Sequence, residues 1–285
     1  MPHAVITVGI VLLVAIGLVV AGLAVWRWSD KRAENVIMDA LIASALTNLP
    51  LFDHAMIADL PEPARRFLTF AIAPGTPLYR VVDLQMEGRL SNGTAHQPNW
   101  MAMQARQVLA LPEGFVWQVA ARRGPVRLVG SDAAHSDGSW TRFWLAGLAP
   151  VVRAGLNDDH ARSSFGRYGS EAIFWLPTTL MPGPGVHWEE LGPDSARVTL
   201  EAHGFEQAFD IHLNEEGAPA HVVFQRWSDA NPDKRFQLQP FGGEPSVFQT
   251  FDGVTIPTRV DGGNFFGTPD YFPFYQVRIT AVRFH

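Results

Sequence analysis

Apolar residues fill the start of this chain without interruption. Residues 4–26 (AVITVGIVLLVAIGLVVAGLAVW) contain no charge, no proline and no amide side chain. A helix needs about 20 apolar residues to cross a bilayer core of about 30 Å. Arg27, Trp28 and Arg32 follow, and such residues are typical of a membrane interface. The pattern predicts a transmembrane helix over 4–26.

A cleaved secretory signal is the alternative for the same stretch. Signals have a basic start and an apolar run of about 7–15 residues, whereas this run is longer and follows the uncharged Met1-Pro2-His3. A small-x-small cleavage site is present at Gly22-Leu23-Ala24. We favour an uncleaved anchor, and cleavage stays open.

Helical spacing of the apolar residues continues after the predicted span. Residues 31–49 show it, so we expect a neck helix that Pro50 ends, within a neck at 27–57. A second helix is predicted from Asp59, as N-cap, to the stop at Pro74. Its apolar face is Leu60, Ala64, Phe67, Leu68, Ala71 and Ile72.

From residue 80 the period of the pattern becomes two. Short alternating runs are separated by turn residues such as Asn92-Gly93 and Gly124-Pro125, which predicts antiparallel strands. Residues 158–176 lack the alternation and favour an inserted helix. We count about ten or eleven strands and predict one α+β domain over 58–285.

Composition narrows the possible partners. Residues 67–285 carry 17 Lys and Arg against 22 Asp and Glu, a net charge of −5. Nucleic-acid-binding surfaces are basic, so we expect no nucleic acid partner. The chain has no Cys, which excludes disulfides, thiolate nucleophiles, Cys-ligated metals and an acylated lipoprotein terminus.

Motifs that carry chemistry are missing from the sequence. It contains no phosphate loop, dinucleotide fingerprint, nucleophile elbow or HExxH helix. Glu189 and Glu190 are adjacent in a predicted strand and point to opposite faces. We expect no metal, no cofactor and no assignable catalytic residue, and we favour a binding protein over an enzyme.

Aromatic residues are more informative. The chain has nine Trp and 19 Phe but only four Tyr. If several point inward, they line an apolar cavity between the sheet and its helices; the alternative is that they fill the core. The candidate ligand-lining residues are Trp117, Trp144, Trp175, Trp188 and Trp227.

Four charged residues lie next to apolar runs and are candidates for the interior. They form either a buried ion-pair network or polar anchors for a ligand head group. These residues are Asp132, Arg167, Glu171 and Arg226.

Short motifs occur in a recognisable order: LPEPARRFL at 60–68, GFVW at 114–117, Arg167-Tyr168 with Glu171, WLP at 175–177 and VHWE at 186–189. Over most of residues 58–284 the chain resembles an uncharacterised bacterial family of membrane-anchored proteins, a domain of unknown function. That family is similar in architecture to the LolA/LolB lipoprotein carriers. The resemblance implies a strongly curved antiparallel sheet that wraps helices around an apolar cavity, and it supplies no catalytic residues.

The side of the membrane is indicated in two opposite ways. Arg27, Lys31 and Arg32 follow the anchor and no basic residue precedes it, which favours a cytoplasmic body. A carrier-like fold favours the periplasm, and long domains translocate largely regardless of charge. We favour a single-pass protein of the bacterial inner membrane with a periplasmic body.

Three hypotheses for the function follow. The first is a membrane-tethered binding module for an apolar, lipid-like ligand such as an acyl chain. The alternatives are an envelope-associated hydrolase with an unrecognised site and a structural domain that binds a partner.

Overall fold

The computed structural model of the protein describes residues 2–285, with side chains from Ile6 onward. The longest helix, α1, runs without a break over Pro2–Ala43. Helix α2 spans Glu62–Ala71 and α3 spans Asp158–Trp175, and short 3₁₀ turns lie at His54–Ile57 and Pro177–Leu180. By length and composition, α1 is the one helix within residues 2–285 that could cross a membrane.

Thirteen strands make up the rest of the described chain. The first six are β1 (Val81–Ser91), β2 (Trp100–Ala110), β3 (Gly114–Arg123), β4 (Val126–His135), β5 (Gly138–Leu145) and β6 (Ala149–Gly155). The others are β7 (Val186–Gly192), β8 (Ser195–Ala202), β9 (Phe205–Leu213), β10 (Pro219–Ser228), β11 (Gln237–Phe251), β12 (Val254–Asn264) and β13 (Phe272–Phe284).

These strands form a single antiparallel sheet built from two meanders. The first runs from β1 at the centre to β6 at one edge, and α3 then carries the chain to β7 at the other edge. The second meander returns to the centre, where β13 pairs with β1. The two meanders are therefore joined into one open sheet by a pairing of strands that are far apart in sequence.

The sheet curves around α3. This helix contacts both β6 and β9, which are ten strand positions apart. On a flat sheet that separation is about 48 Å, whereas an 18-residue helix is only about 27 Å long. The strongly curved antiparallel sheet that wraps helices is thus confirmed.

The two faces of the sheet bury different helices. Inward residues at alternate positions, such as Val82 and Leu84 of β1, pack with α2 and α3 in the main core. The intervening residues face outward, and Val81 packs there with Met38 and Leu41 of α1. The alternation of the sequence with a period of two places the inward and the outward residues on opposite faces of the sheet.

The second half of α1 is thus part of the body. Asp30, Glu34 and Met38 are at most 5% exposed on the outer face of the sheet. The helix ends at Ala43, seven residues before the expected stop at Pro50. The segment expected to be a neck is therefore packed against the sheet rather than extended as a free stalk.

Two further expectations need correction. The sheet has 13 strands instead of ten or eleven, because β5 and β6 were missed. On β5 the outward residues Trp140 and Trp144 are as buried as residues of the main core. These outward positions are therefore apolar, and the alternation that predicts a strand is lost. Helix α2 begins after Pro61 rather than Asp59.

Candidate ligand-binding cavity

A cavity of about 260 Å³ lies between α3 and the inner face of the sheet. Its wall is mostly aromatic and aliphatic, and we call it the apolar cavity. Helix α3 supplies one side of it, and strands from both meanders supply the other. The lining residues include Leu90, Trp117, Phe174, Trp175, Phe224, Phe241, Val260, Phe274 and Tyr275, together with Asp132, Arg167, Glu171 and Arg226.

All four charged candidates from the sequence therefore meet at this cavity. Arg167 lies between two carboxylates: its Nη1 is 2.5 Å from Asp132 Oδ2, and its Nε is 2.9 Å from Glu171 Oε1. Burial would lower the pKa of Arg167, but these two carboxylates outweigh burial and raise it. Arg167 and its two partners form an ion-pair network in which, among the described residues, Asp132 Oδ1 alone is buried without a donor.

Gln107 belongs to the same network and was missed from the sequence. It is fully buried on β2 and donates from Nε2 to Glu171 Oε2 over 2.7 Å. Its neighbours at alternate positions, Met103, Ala105 and Leu109, all face the core. A single amide on an apolar face of a strand was the signal that could have identified it.

Arg226 differs from Arg167 in having no counter-ion. Within residues 2–285 its guanidinium makes no hydrogen bond and no ion pair, and its Nε is buried. Its guanidinium lies over the ring of Phe241, 5.1 Å from the centroid. Burial, and then the charge of Arg167, lower the pKa of Arg226 to about 10.

A second cavity of about 370 Å³ adjoins the first, and we call it the polar chamber. Asp132, Arg167 and Arg226 line both spaces, so they form the boundary between them. The other walls of the polar chamber carry mainly polar side chains. These include Thr141, Asn157, His160, Ser163, Ser164, Ser228, Asp229 and Asn264.

The five candidate Trp residues are divided among four places. Trp117 and Trp175 line the apolar cavity. Trp144 lies on the opposite face of the sheet, where its Nε1 donates to Asp30. Trp188 donates to the carbonyl of Leu180 and packs on Phe67, and Trp227 donates to Asp159.

The hydrogen bonds of these Trp residues follow the same division. The three indole N–H groups outside the cavity each have an acceptor. In the cavity wall, Trp175 Nε1 has none within the described chain, and Trp117 Nε1 has only the nearby Tyr275 hydroxyl, outside hydrogen-bond geometry. Donors without acceptors are therefore concentrated around the cavity.

His160 provides the nearest approach to a catalytic arrangement. Its Nδ1 is 2.7 Å from Ser139 Oγ, and its Nε2 is 3.0 Å from Thr141 Oγ1. Burial lowers the pKa of His160 and so favours the neutral ring. Ser139 is only 1% exposed and lies outside the chamber wall, so a substrate cannot reach this hydroxyl. The arrangement fits a structural hydrogen-bond bridge.

The family of the chain is decided by a match over residues 50–276. The chain belongs to the family of unknown function DUF6544. The family predicted from the short motifs is confirmed. A search of the curated proteins finds no match.

Three solved structures are similar in part. A LolA superfamily protein of Nitrosomonas europaea shares 10% identity at a TM-score of 0.39, covering 78% of this chain and 92% of the other. A domain described as an outer membrane lipoprotein-sorting protein, from Vibrio parahaemolyticus, shares 12% at 0.37, covering 81% and 91%. A DUF1329 family protein of Desulfovibrio piger shares 10% at 0.34, covering 72% and 86%.

Proposed function

We propose that this DUF6544 member is a membrane-tethered module that binds an apolar, lipid-like ligand in the apolar cavity. The observation that carries the proposal is the cavity itself, an aromatic space about 260 Å³ in volume between α3 and the sheet. Small-molecule sites are typically apolar clefts of about 300–1,000 Å³ with a few placed polar groups. The cavity lies just below that range, a size that suits a single acyl chain.

The tether is the apolar first half of α1. Side chains of residues 6–25 protrude from the body, and most of them are large and exposed, such as Leu13 at 70%. Water-exposed leucine and valine on this scale call for an apolar partner, and a bilayer supplies it along the whole length of the segment. We place the body on the periplasmic side of the bacterial inner membrane.

The docked half of α1 fixes how the body meets the bilayer. Trp26 packs edge-on against Trp144 at 5.4 Å and lies beneath Arg153 at 4.7 Å, so the helix leaves the sheet beside the β5–β6 edge. Val151 and Val152 of the edge strand are 49% and 40% exposed there. This edge rests on the membrane surface, and the cavity stays within reach of membrane lipids.

Native mass spectrometry of the full chain, released from detergent micelles after purification from cells, tests the ligand. We expect a population that carries the mass of one acyl-chain ligand. A chain that is ligand-free from every preparation, and that fails to bind an added acyl probe, would contradict the proposal.

Alkaline carbonate extraction of cell membranes tests the tether, because a spanning helix keeps the chain in the pellet. A reporter fused after His285 that is active only outside the cytoplasm tests the side. Release of the chain by carbonate, or activity of the reporter in the cytoplasm, would contradict those parts of the proposal separately.

A further inference from the structure

We propose that the ligand is a single-chain amphiphile with an anionic head group, whose carboxylate or phosphate oxygens accept hydrogen bonds from Arg226. This inference rests on the function proposed above and specifies the polar end of the ligand. The acyl chain lies in the apolar cavity, and the head group lies at the boundary with the polar chamber.

Arg226 is the group that calls for such a ligand. A guanidinium presents five N–H donors in a planar fork that matches two oxygens of a carboxylate or phosphate. In the described part of the chain no acceptor meets any of these donors, and Nε is buried from water. A buried polar group without a partner costs free energy. An anionic ligand removes that cost.

Each neighbouring carboxylate already has a cation, although Asp132 Oδ1 is buried without a donor in the described chain. Arg167 holds both Asp132 and Glu171, and Gln107 donates a further hydrogen bond to Glu171. The attraction of these carboxylates for Arg226 is outweighed, because burial and the charge of Arg167 still lower the pKa of Arg226. The nearby carboxylates therefore do not neutralise the positive charge of Arg226.

The charge of the boundary allows an anion to enter. Two arginines and two carboxylates leave these four residues formally neutral, so the boundary itself carries no excess negative charge; Asp229 in the wall of the polar chamber is the further carboxylate that the anion meets. The unpaired cation that such an anion meets at the boundary is Arg226. Binding there converts a buried single charge into a charge-assisted pair, which is the stronger class of hydrogen bond.

The two adjoining spaces match the two ends of an amphiphile. Phe224 and Phe241 lie on the apolar side of Arg226, and Ser164 and Asn264 lie on the polar side. Asn264 Oδ1 is buried without a donor, so it accepts from a protonated or hydroxylated head. The 260 Å³ of the apolar cavity holds one chain rather than the two of a bilayer phospholipid.

Photolabelling of the full chain in phosphatidylcholine nanodiscs tests the inference. Three diazirine probes share one acyl chain and differ in the head: a free fatty acid, a monoacylglycerol phosphate and a fatty-acid methyl ester. We expect at least one anionic probe to label peptides of α3 and β10 about tenfold more than the neutral ester does. Preference for the acid or for the phosphate identifies the head group, and either result supports the inference.

The Arg226→Gln variant supplies the decisive comparison. It should reduce labelling by the anionic probe about tenfold, to the level of the ester, and leave ester labelling unchanged. Arg226→Lys should keep part of the preference. Arg122→Gln makes the same change on the exposed outer face and should change nothing, and thermal unfolding verifies that each variant is folded.

The outcomes separate the two proposals. Equal labelling of the cavity by acid, phosphate and ester, or anionic labelling that Arg226→Gln does not reduce, overturns the anionic head group and leaves the proposed function standing. Failure of all three probes to label the cavity in the wild type overturns the proposed function as well.

Discussion

On the outer face of the sheet Asp30 is buried with every partner it needs, whereas on the inner face Arg226 is partly buried, with its Nε out of reach of water, and has no such partner among the described residues. Asp30 accepts from Trp144 at 3.0 Å and forms ion pairs with Arg142 and Arg153. Its side chain is 6% exposed. A charge satisfied in this way holds α1 on the sheet.

Arg226 lies near Arg167, Asp132, Glu171 and Asp229 but forms a hydrogen bond or an ion pair with none of them. The outer cluster is complete without a ligand, and the inner one is incomplete. The comparison teaches that burial of charge alone does not mark a functional site. What separates the two is whether the hydrogen-bonding capacity of the charge is used within the fold.

Removing the charge of Asp30 should have the largest effect. Asp30→Asn leaves Arg142 and Arg153 beside each other without a counter-ion. Breaking a buried ion pair costs about 3–5 kcal/mol. Because both arginines are partly exposed, we expect a loss of about 3 kcal/mol for Asp30→Asn. Hydrogen exchange should show residues 30–43 losing roughly two orders of magnitude of protection.

Asp39→Asn serves as its control, because Asp39 lies exposed on the same helix. The same loss of protection in both variants, or in neither, would show that the Asp30 cluster does not hold α1.

Filling the apolar cavity should reduce ligand occupancy about tenfold, equivalent to about 1.4 kcal/mol. A Cβ at Gly262 would meet no atom closer than 3.6 Å, so Gly262→Leu extends its side chain into the space without backbone strain. Occupancy is measured by native mass spectrometry of the full chain. Ala102→Leu, on the exposed outer face, should leave occupancy unchanged; equal losses in both would place the ligand elsewhere.

Arg226→Met should stabilise the ligand-free chain by about 1 kcal/mol, because an unpaired buried cation is replaced by an apolar side chain of similar length. Arg167→Met should do the opposite and destabilise by about 3 kcal/mol, since it leaves Asp132 and Glu171 without their cation. Chemical denaturation of delipidated full-length protein in detergent measures both. Destabilisation by Arg226→Met would show that the carboxylates use Arg226 as a structural partner.

The smallest expected effect is a loss of stability in mild acid. Burial lowers the pKa of His160 below its ordinary 6.5, against attraction from Asp132 and with repulsion from Arg226 and Arg167. As the pH falls, His160 therefore binds a proton in the unfolded chain before it does so in the folded one. Its contribution to stability is complete above about pH 6.5 and is lost as the pH falls through the pKa of the folded state.

His160→Gln should flatten the dependence of the melting temperature between pH 5 and 7. Burial also lowers the pKa values of His135 and His221, so a residual slope of the same sign should remain. An unchanged slope in His160→Gln would contradict the assignment to this residue.

Local patterns in the sequence were sufficient for much of the sheet. The period-two pattern from residue 80 predicted the antiparallel strands that begin with β1 at Val81, and the inserted helix was expected at 158–176 against an observed Asp158–Trp175. These elements have their signals within their own residues: alternation, and the helix-favouring start at Asn157, which caps His160 N.

Strand β5 shows why the rest was not predictable. Trp140, Arg142 and Trp144 all face outward, and they are covered by α1, which comes more than a hundred residues earlier in the chain. Whether an outward residue meets water or a helix depends on that distant segment. The alternation signal fails wherever both faces of a strand are covered.

The candidate site divides along the same line. Asp132, Arg167, Glu171 and Arg226 were identifiable because charged residues stood beside apolar runs, and the fold brings all four to one boundary. Three of the five Trp candidates lie elsewhere. Alternation along a strand shows which residues share a face of the sheet, but it does not show which helix covers that face.

The apolar first segment, the family, the strand-rich body and the charged residues of the interior could all be read from the chain, because each depends on residues near one another in sequence. The fold was needed to show that β13 pairs with β1, that the second half of α1 packs on the sheet, and that Arg167 is paired while Arg226 is not. Those facts depend on distances between segments far apart in sequence, and no local pattern encodes a distance.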